Sequence, residues 1–197
     1  MRNKKYGWLL IGILAGMILG RLTIPDTVWG AEPVLKIDNG QTVIDDLNHP
    51  NTREIEEAEA YLKENRVEVP ADIEEFCIKY GKENGIAPEL LEAIIWKESR
   101  FQPEAVNRSC KGLMQVNTGC HKKRMDRLGV SDIYDPEGNI AVGSDYLREL
   151  FEANEDTATV LELYNGDGSA AADTTRDSAY AKKVMAISTA LERSHWK

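Results

Sequence analysis

The sequence predicts a mainly α-helical domain from residue 70 onward, preceded by an N-terminal hydrophobic segment and an acidic linker. The first observation is that apolar residues after residue 70 recur at spacings of three and four, which places them on one face of a helix. The second is that no convincing pair of strands occurs in that region. A chain of 197 residues with 42% hydrophobic content has room for one domain and enough apolar mass for its core.

The N-terminal hydrophobic segment has the layout of an export signal. Lys4 and Lys5 lie in a basic start, and residues 7–20 form an uncharged, mostly apolar run. Cleavage before Ala31 would remove residues 1–30 as a signal peptide. The alternative is a retained membrane anchor, since flanking residues can extend the run towards the about 20 that a span needs. Both alternatives place the body of the chain outside the cytoplasm, either membrane-anchored or secreted.

The body of the chain is acidic. The formal net charge is −9, and residues 1–30 carry a net +3, so subtracting them leaves −12. This sign argues against nucleic acid or an anionic membrane surface as the ligand. No spacing of histidines and cysteines suggests a metal site, and His121 beside Cys120 is typical of a surface side chain.

Residues 31–69 are predicted to form a linker or stalk. Short apolar runs at 34–37 and 42–44 flank the turn signal Asn39-Gly40 and are compatible with a small hairpin. Residues 51–64 predict a charged helix with few apolar positions. A solvated stalk is the favoured interpretation of that helix, and loose packing on the domain is the alternative.

Five helices are predicted in the domain at 70–197. Asn84-Gly85 ends the first, and Pro88 starts the second, because the first helical position tolerates a missing N–H. Asp135-Pro136 starts the third, and Asn165-Gly166 ends the fourth. Loops and short turns are expected from 100 to 120. The apolar stripes are Ile73, Phe76, Cys77 and Tyr80; Leu90, Leu91, Ile94 and Ile95; Ile140, Gly143, Leu147 and Leu150; Val160, Leu161 and Tyr164; and Tyr180, Val184, Ile187 and Leu191.

Glu98 occupies the next position on the apolar stripe of the second helix. Burial there would raise the pKa of this carboxyl group towards neutrality. Cleavage of a glycosidic bond needs such an acid, because the leaving oxygen must receive a proton. The alternative is a helix-end carboxylate that reaches solvent past Ser99. Glu89 and Glu92 fall off the stripe and are expected to face water.

The residues after Glu98 complete a longer pattern. It reads E-S-x-F-x-P-x-A-V over 98–106 and G-L-M-Q over 112–115, followed by Asp135-Pro136, Asn139-Ile140, Gly143, Tyr146-Leu147, Tyr164-Asn165-Gly166 and Tyr180. This set resembles the catalytic domain of soluble lytic transglycosylases, relatives of the goose-type lysozymes, over about residues 70–192. The resemblance implies a lysozyme-like, monomeric transglycosylase domain that acts on peptidoglycan glycan strands without a cofactor. It implies nothing about residues 31–69.

The resemblance also implies a reaction. Glu98 would be the only essential carboxylate, acting first as general acid and then as base on the MurNAc–GlcNAc β-1,4 bond. The 6-hydroxyl of the sugar would then close a 1,6-anhydro ring in place of attack by water. Two alternatives stay open: a hydrolytic lysozyme on the same fold and a non-catalytic wall-binding module. Glu104 is expected at the surface and Asp135 as a helix cap.

Substrate-contact positions follow from the same resemblance. Met114 is interpreted equally as a groove residue or as core, and core packing is slightly favoured for Tyr180. Tyr164 is expected to orient Glu98 or to contact an acetamido group, and Ser99 to support the turn. Gly112 would let a sugar approach the backbone or serve as a turn glycine. The full set of candidates is Ser99, Asn107, Gly112, Met114, Gln115, Asn117, Tyr164, Asn165 and Tyr180.

Two departures from the family pattern and three cysteines complete the predictions. Asn107 stands where a serine is usual, and the M-Q-V-N run over 114–117 is more similar to specialised transglycosylases that open the wall for larger machines. Cys110 and Cys120 flank the G-L-M-Q segment at a spacing that permits a disulfide. Cys77 is expected to be a buried thiol.

Overall fold

The computed structural model describes residues 34–38, 41–45, 49–166 and 179–195. The predicted signal or anchor at 1–30 lies outside these residues. No helix in the described part of the chain is both long and apolar enough to cross a membrane. Strand β1 (Val34–Asp38) pairs antiparallel with β2 (Gln41–Asp45), and Asp38 lies opposite Gln41 in the register. The predicted hairpin is therefore confirmed.

The rest of the described chain is mainly helical, as predicted. The elements are α1 (Thr52–Glu64), α2 (Ala71–Asn84), α3 (Pro88–Ser99), the short strands β3 (Val106–Asn107), β4 (Cys110–Lys111) and β5 (Val116–Asn117), then α4 (Thr118–Leu128), α5 (Pro136–Ala153), α6 (Thr157–Tyr164) and α7 (Ala179–His195). Strands β3, β4 and β5 form an antiparallel sheet in that order. The expectation of no strand pair after residue 70 is wrong, because strands of two residues are too short to show an alternating pattern.

Local capping chemistry sets the predicted helix ends. Gly85 ends α2 in the left-handed conformation at φ 71°, and Pro88 occupies the first turn of α3. The Asp135 side chain accepts a hydrogen bond from the Gly138 N–H at the start of α5. Helix α6 ends immediately before Asn165. These boundaries agree with the predictions because each depends on residues close in sequence.

Helix α3 lies at the centre of the core, in contact with α2 and α7. Its residues Ile94 and Ile95 are completely buried. Glu92 is also 0% exposed, so the expectation that it faces water is wrong. A helix covered on two sides buries positions that a single apolar stripe assigns to solvent. Cys77 of α2 is buried as predicted. Burial raises the pKa of its thiol, and the charge of Glu92 raises it further.

Helix α1 packs on α7. Leu62 belongs to the hydrophobic core at 8% exposure, and Ala58 packs against the same core. The Arg193 Nη1 atom lies 3.0 Å from the Glu59 Oε1 atom, which links the two helices at the surface. The favoured interpretation of α1 as a solvated stalk is wrong, and packing on the domain is the alternative that the structure bears out.

Candidate active site

Glu98 lies in the last turn of α3 and is partly buried. The Tyr180 hydroxyl donates a hydrogen bond to Glu98 Oε1 at 2.6 Å. Burial raises the pKa of Glu98 above its ordinary value, and the Tyr180 hydrogen bond and the Lys97 charge offset part of that rise. The predicted direction of the pKa shift is confirmed. The carboxyl group thus has one oxygen held by a tyrosine and an increased tendency to keep its proton.

Ser99 does not extend the site towards solvent. Its side chain is buried, and its hydroxyl donates a hydrogen bond to the Ile95 carbonyl at 3.1 Å. A hydroxyl bonded to the carbonyl four residues earlier belongs to the helix end. This supports the expected role in the turn and leaves no sign of a substrate contact.

The two candidate tyrosines make different hydrogen bonds. Tyr180 packs against the core, as favoured, and also contacts Glu98 directly. Tyr164 donates its hydroxyl hydrogen bond to the Met114 carbonyl at 2.8 Å and not to Glu98, so of its two predicted roles the contact with an acetamido group stays a prediction. Burial raises the pKa of both phenols, and the charge of Glu98 adds to the rise. Both hydroxyls therefore remain protonated donors, one serving the acid and the other fastening the neighbouring loop.

Asn139 holds the G-L-M-Q segment in place. This completely buried side chain accepts a hydrogen bond from the Met114 N–H at 2.8 Å. Its amide nitrogen donates to the carbonyls of Lys111 at 3.0 Å and Ile133 at 2.8 Å. Gly112 adopts φ +77°, and a Cβ atom there would fall 2.0 Å from the Asn139 amide nitrogen. Gly112 thus makes room for Asn139, and its positive φ agrees with the predicted alternative of a turn glycine.

Met114 and Gln115 point in different directions. Met114 is 0% exposed, and its sulfur is so close to Gly143 that a Cβ at position 143 would lie 2.4 Å from it. The core alternative for Met114 is the one observed, so its side chain is not a substrate contact.

Gln115 is only partly buried, at φ 48°. Its amide nitrogen donates to the carbonyls of Ala105 at 3.1 Å and Gly112 at 2.9 Å. The amide donors are therefore used within the loop, and the Oε1 acceptor is what the side chain can offer a ligand.

A groove of about 280 Å³ brings together part of the predicted set. Gln115, Asn117, Tyr164 and Asn165 all line it. The Asn117 Oδ1 atom also caps α4 by accepting from the N–H groups of residues 119 and 120. Asn107 is exposed on β3 and is not among the lining residues. Glu98 itself does not line this groove, but its charge influences Tyr164 in the groove wall.

Cys110 and Cys120 both line the groove as free thiols. Cys110 lies on β4, opposite Asn117, and Cys120 lies in the first turn of α4. The bridge between these two cysteines stays a prediction.

His121 and Tyr146 are groove residues that the sequence interpretation missed. The His121 ring is partly buried and lies 4.5 Å from the Tyr146 ring, and Tyr146 lies 5.7 Å from Tyr164. The interpretation of His121 as a surface side chain is therefore wrong. Tyr146 could have been found from its place in the sequence pattern that resembles the family. His121 could not, because α4 has no buried residue and therefore no apolar stripe that would have predicted the helix.

A buried carboxylate ties α4 to α5 behind the groove. Asp145 is 6% exposed and accepts hydrogen bonds from Arg124, from Arg127 at 2.5 Å and from Arg148 at 3.1 Å. Burial alone would raise the pKa of Asp145, but the three arginine hydrogen bonds outweigh it and lower the pKa to about 2. Asp145 is thus charged at neutral pH. Among the described residues, no group of three or more His, Cys, Asp or Glu side chains is suited to a metal ion.

Comparison with known proteins adds independent findings. A family model described as "Transglycosylase SLT domain" matches residues 75–186, which include Glu98, the groove and Tyr180. An "X polypeptide" of Escherichia coli is 33% identical over 123 residues, or 58% of this chain and 72% of that protein.

Two further relatives carry functional names. A "Membrane-bound lytic murein transglycosylase F" of Maricaulis maris is 36% identical over 72 residues, 36% of this chain and 15% of that protein. The "Transglycosylase" of Enterobacteria phage PRD1 is 32% identical over 99 residues, 50% of this chain and 36% of that protein. The alignments with these two larger proteins cover only the smaller part of each of them.

Proposed function

The chain belongs to the family of transglycosylase SLT domains and is an enzyme of the lytic transglycosylase class, and we propose that Glu98 is the single general acid and base of its reaction. The substrate is the glycan strand of peptidoglycan, cleaved at the MurNAc–GlcNAc β-1,4 bond. The observation that carries this proposal is the hydrogen bond of 2.6 Å between Tyr180 and a partly buried Glu98 whose pKa is raised. A raised pKa favours the protonated form that a general acid needs at the start of the reaction.

The first step is protonation of the leaving oxygen. Because Tyr180 donates to Oε1, the proton to be transferred resides on Oε2 of Glu98. The bond from C1 to the leaving oxygen then breaks, and the proton from Glu98 passes to that oxygen. The Tyr180 hydrogen bond strengthens as Glu98 becomes negative, since hydrogen bonds to a charged acceptor are about twice as strong as neutral ones. Tyr180 thus stabilises the carboxylate that the first step produces.

The second step uses that carboxylate as a base. Glu98 removes the proton of the 6-hydroxyl, the O6 atom bonds to C1, and a 1,6-anhydro ring forms without consumption of water. A retaining hydrolase would need a second carboxylate about 5 Å away, and an inverting one about 6.5–9.5 Å away. Glu104 is exposed and Asp135 caps α5. We infer ring closure rather than hydrolysis from the transglycosylase family to which the chain belongs.

The groove supplies the substrate contacts. Gln115 offers an acceptor, and Asn117 and Asn165 line the same surface. Asn107 lies exposed on β3, at the edge of the small sheet. We place the enzyme outside the cytoplasm as a monomer, anchored or secreted to the wall, a location supported by membrane-bound murein transglycosylases among its relatives. The acidic charge of the chain gives no support for nucleic acid as a partner.

Mass spectrometry of the muropeptides released from purified peptidoglycan tests this proposal. Anhydro and reducing products differ in mass by one water, and we expect anhydro ends from the full chain. Glu98→Gln should release none, whereas Glu104→Gln, which changes an exposed carboxylate, should act as the parent does. Reducing ends would identify a hydrolytic lysozyme instead. Binding to peptidoglycan without release of products would identify a wall-binding module.

A further inference from the structure

Lys97 lies one position before Glu98, in the last turn of α3. It is partly buried, and its Nζ atom lies over the Tyr180 ring, 5.7 Å from the ring centroid. A cation within about 6 Å of the face of a tyrosine is attracted by the negative charge density of the ring. The same tyrosine donates its hydroxyl hydrogen bond to Glu98. Lys97 therefore contacts the residue that holds the proposed acid, and the reaction described above does not use it.

The position of Glu98 in its helix makes a nearby cation important. The last carbonyl groups of a helix carry partial negative charge, so the end of α3 disfavours a carboxylate in its last turn. Burial also disfavours the carboxylate and raises the pKa of Glu98, whereas the Tyr180 hydrogen bond and then the Lys97 charge lower it. Of these groups, Tyr180 offers a neutral donor and Lys97 offers a full positive charge.

The titratable and charged groups around Glu98 come from three helices. Tyr180 belongs to α7 and Lys97 to α3, and Tyr164 of α6 is a protonated phenol that feels the charge of Glu98. The guanidinium group of Arg100 is engaged elsewhere, over the ring of a tryptophan on the preceding turn. Among the described residues, no group of α2, the other helix packed on α3, shifts the pKa of Glu98. Within the described part of the chain, Lys97 is thus the cation that acts on the acid.

We propose that Lys97 is a positioning residue for the catalytic acid: its ammonium group holds the Tyr180 ring beside α3 and stabilises the Glu98 carboxylate formed when the proton leaves. This inference rests on the proposed function, because it takes Glu98 as the acid. The two effects act in the same direction. A ring held in place keeps the hydroxyl donor on Oε1, and a nearby positive charge favours the charged form of Glu98. Because Lys97 acts through Tyr180 and Glu98, it contributes to proton transfer and not to binding of the strand.

Substitutions at position 97 separate the charge from the rest of the side chain. Lys97→Met keeps an unbranched side chain but removes the charge, and Lys97→Gln is a second uncharged variant. Lys97→Arg keeps the charge and can also lie over an aromatic ring. Lys82→Met is the matched control, because it makes the same change of charge at an exposed lysine in the last turn of α2.

The assay is release of soluble muropeptides from peptidoglycan by the full chain, with kcat and KM measured at a series of pH values. Lys97→Met and Lys97→Gln should lower kcat about two- to fivefold, the contribution expected of one partly exposed cation over a ring, and leave KM unchanged. The alkaline decline of kcat/KM should move to higher pH, because loss of the positive charge lets the pKa of Glu98 rise further. Lys97→Arg and Lys82→Met should both keep the profile of the parent.

A double variant tests whether Lys97 also acts through the phenol. In a chain that carries Tyr180→Phe, the ring is present but the hydroxyl is lost, so Lys97 can act on Glu98 only by its charge. We therefore expect Lys97→Met to lower kcat by a smaller factor in that chain than in the parent. An equal factor in both chains would overturn the part of the inference that assigns the Tyr180 ring to Lys97.

Titration of Glu98 by NMR on protein with isotope-labelled glutamate gives a readout that does not depend on activity, and Glu98→Gln identifies the resonance. The midpoint should lie at higher pH in Lys97→Met than in the parent, and Lys82→Met should leave it unchanged. If Lys97→Met keeps the parent's midpoint and alkaline decline, or if Lys97→Arg behaves as Lys97→Met does, the inference is overturned. A parent that releases no muropeptides would overturn the proposed function, while the NMR midpoints would still show whether Lys97 acts on Glu98.

Discussion

Replacing Tyr180 with Phe removes one hydroxyl group and should change the acid strength of Glu98. The hydroxyl donates to Glu98 Oε1 at 2.6 Å, a distance typical of an O–H hydrogen bond to a carboxylate. Such a bond to a charged group contributes about 1.5–3 kcal/mol. It favours the charged form of Glu98, whereas burial favours the neutral form. Without the hydroxyl, burial acts unopposed by Tyr180, so the pKa of Glu98 should rise further.

The expected result is a displaced pH profile and a slower reaction. The general acid must be protonated, so kcat/KM falls at high pH as Glu98 loses its proton in the free enzyme. An interaction of 1.5–3 kcal/mol changes the equilibrium between charged and neutral Glu98 by about ten- to a hundredfold. Tyr180→Phe should therefore move this alkaline decline to higher pH. The maximal rate should fall about tenfold or more, because the carboxylate formed in the first step loses its donor.

The assay is release of soluble muropeptides at a series of pH values, with kcat/KM taken at low substrate. Tyr164→Phe is the control, because Tyr164 donates to the Met114 carbonyl and not to Glu98. It should lower the free energy of unfolding by about 1 kcal/mol and leave the alkaline decline at the pH of the parent. If folded Tyr180→Phe retains the parent's profile, or if its decline moves to lower pH, the hydrogen bond does not govern Glu98 and the reasoning is refuted.

Three further substitutions and one thiol count have defined expectations. Glu98 has a raised pKa in the folded state, so its negative charge lowers the free energy of unfolding as the pH rises through that pKa. The melting temperature of Glu98→Gln at pH 7 should therefore equal or exceed that of the parent. This gain in stability should be absent below about pH 4, where Glu98 is protonated in both the folded and the unfolded state. Asn139→Ala leaves three backbone groups without a buried partner and should lower the free energy of unfolding by at least about 2 kcal/mol, measured by urea denaturation. Leu62→Ala should cost about 2 kcal/mol or more in the same assay, whereas a helix α1 free of the core would give almost no change. If Cys110 and Cys120 are bridged, thiol counting under non-reducing denaturing conditions should find one free cysteine, and three would contradict the bridge.

The sequence was most informative where structure depends on neighbouring residues. The ends of α2, α3, α5 and α6 follow from glycine, proline and aspartate at capping positions. The raised pKa of Glu98 follows from its place on an apolar stripe. The same logic would have found Asn139, a polar residue beside Ile140 on the buried face of α5. A polar side chain on such a face must have partners within the fold.

The spacing of apolar residues in the sequence could not predict how many sides of a helix are covered by other helices. Glu92 lies off the stripe of α3, yet it is buried because α2 and α7 cover different faces of that helix. Nor could it give the rotation of α7, which decides that Tyr180 rather than Tyr164 reaches Glu98. Helix α4 was missed because it has no buried residue and thus no apolar stripe. These features depend on contacts between elements distant in sequence.

The candidate active site depends on α7 and α1 as well as on α3, the helix that carries the acid. Glu98 comes from α3 and its hydrogen-bond donor from α7, 82 positions later in the chain. Helix α7 also packs on α1, which lies before the family match that begins at residue 75. Because α1 and α3 both pack on α7, removal of α1 exposes apolar surface of α7 and weakens the support of the Tyr180 hydroxyl. A fragment that begins at residue 70 should therefore differ from the full chain in the pH at which activity declines, and not only in its thermal stability.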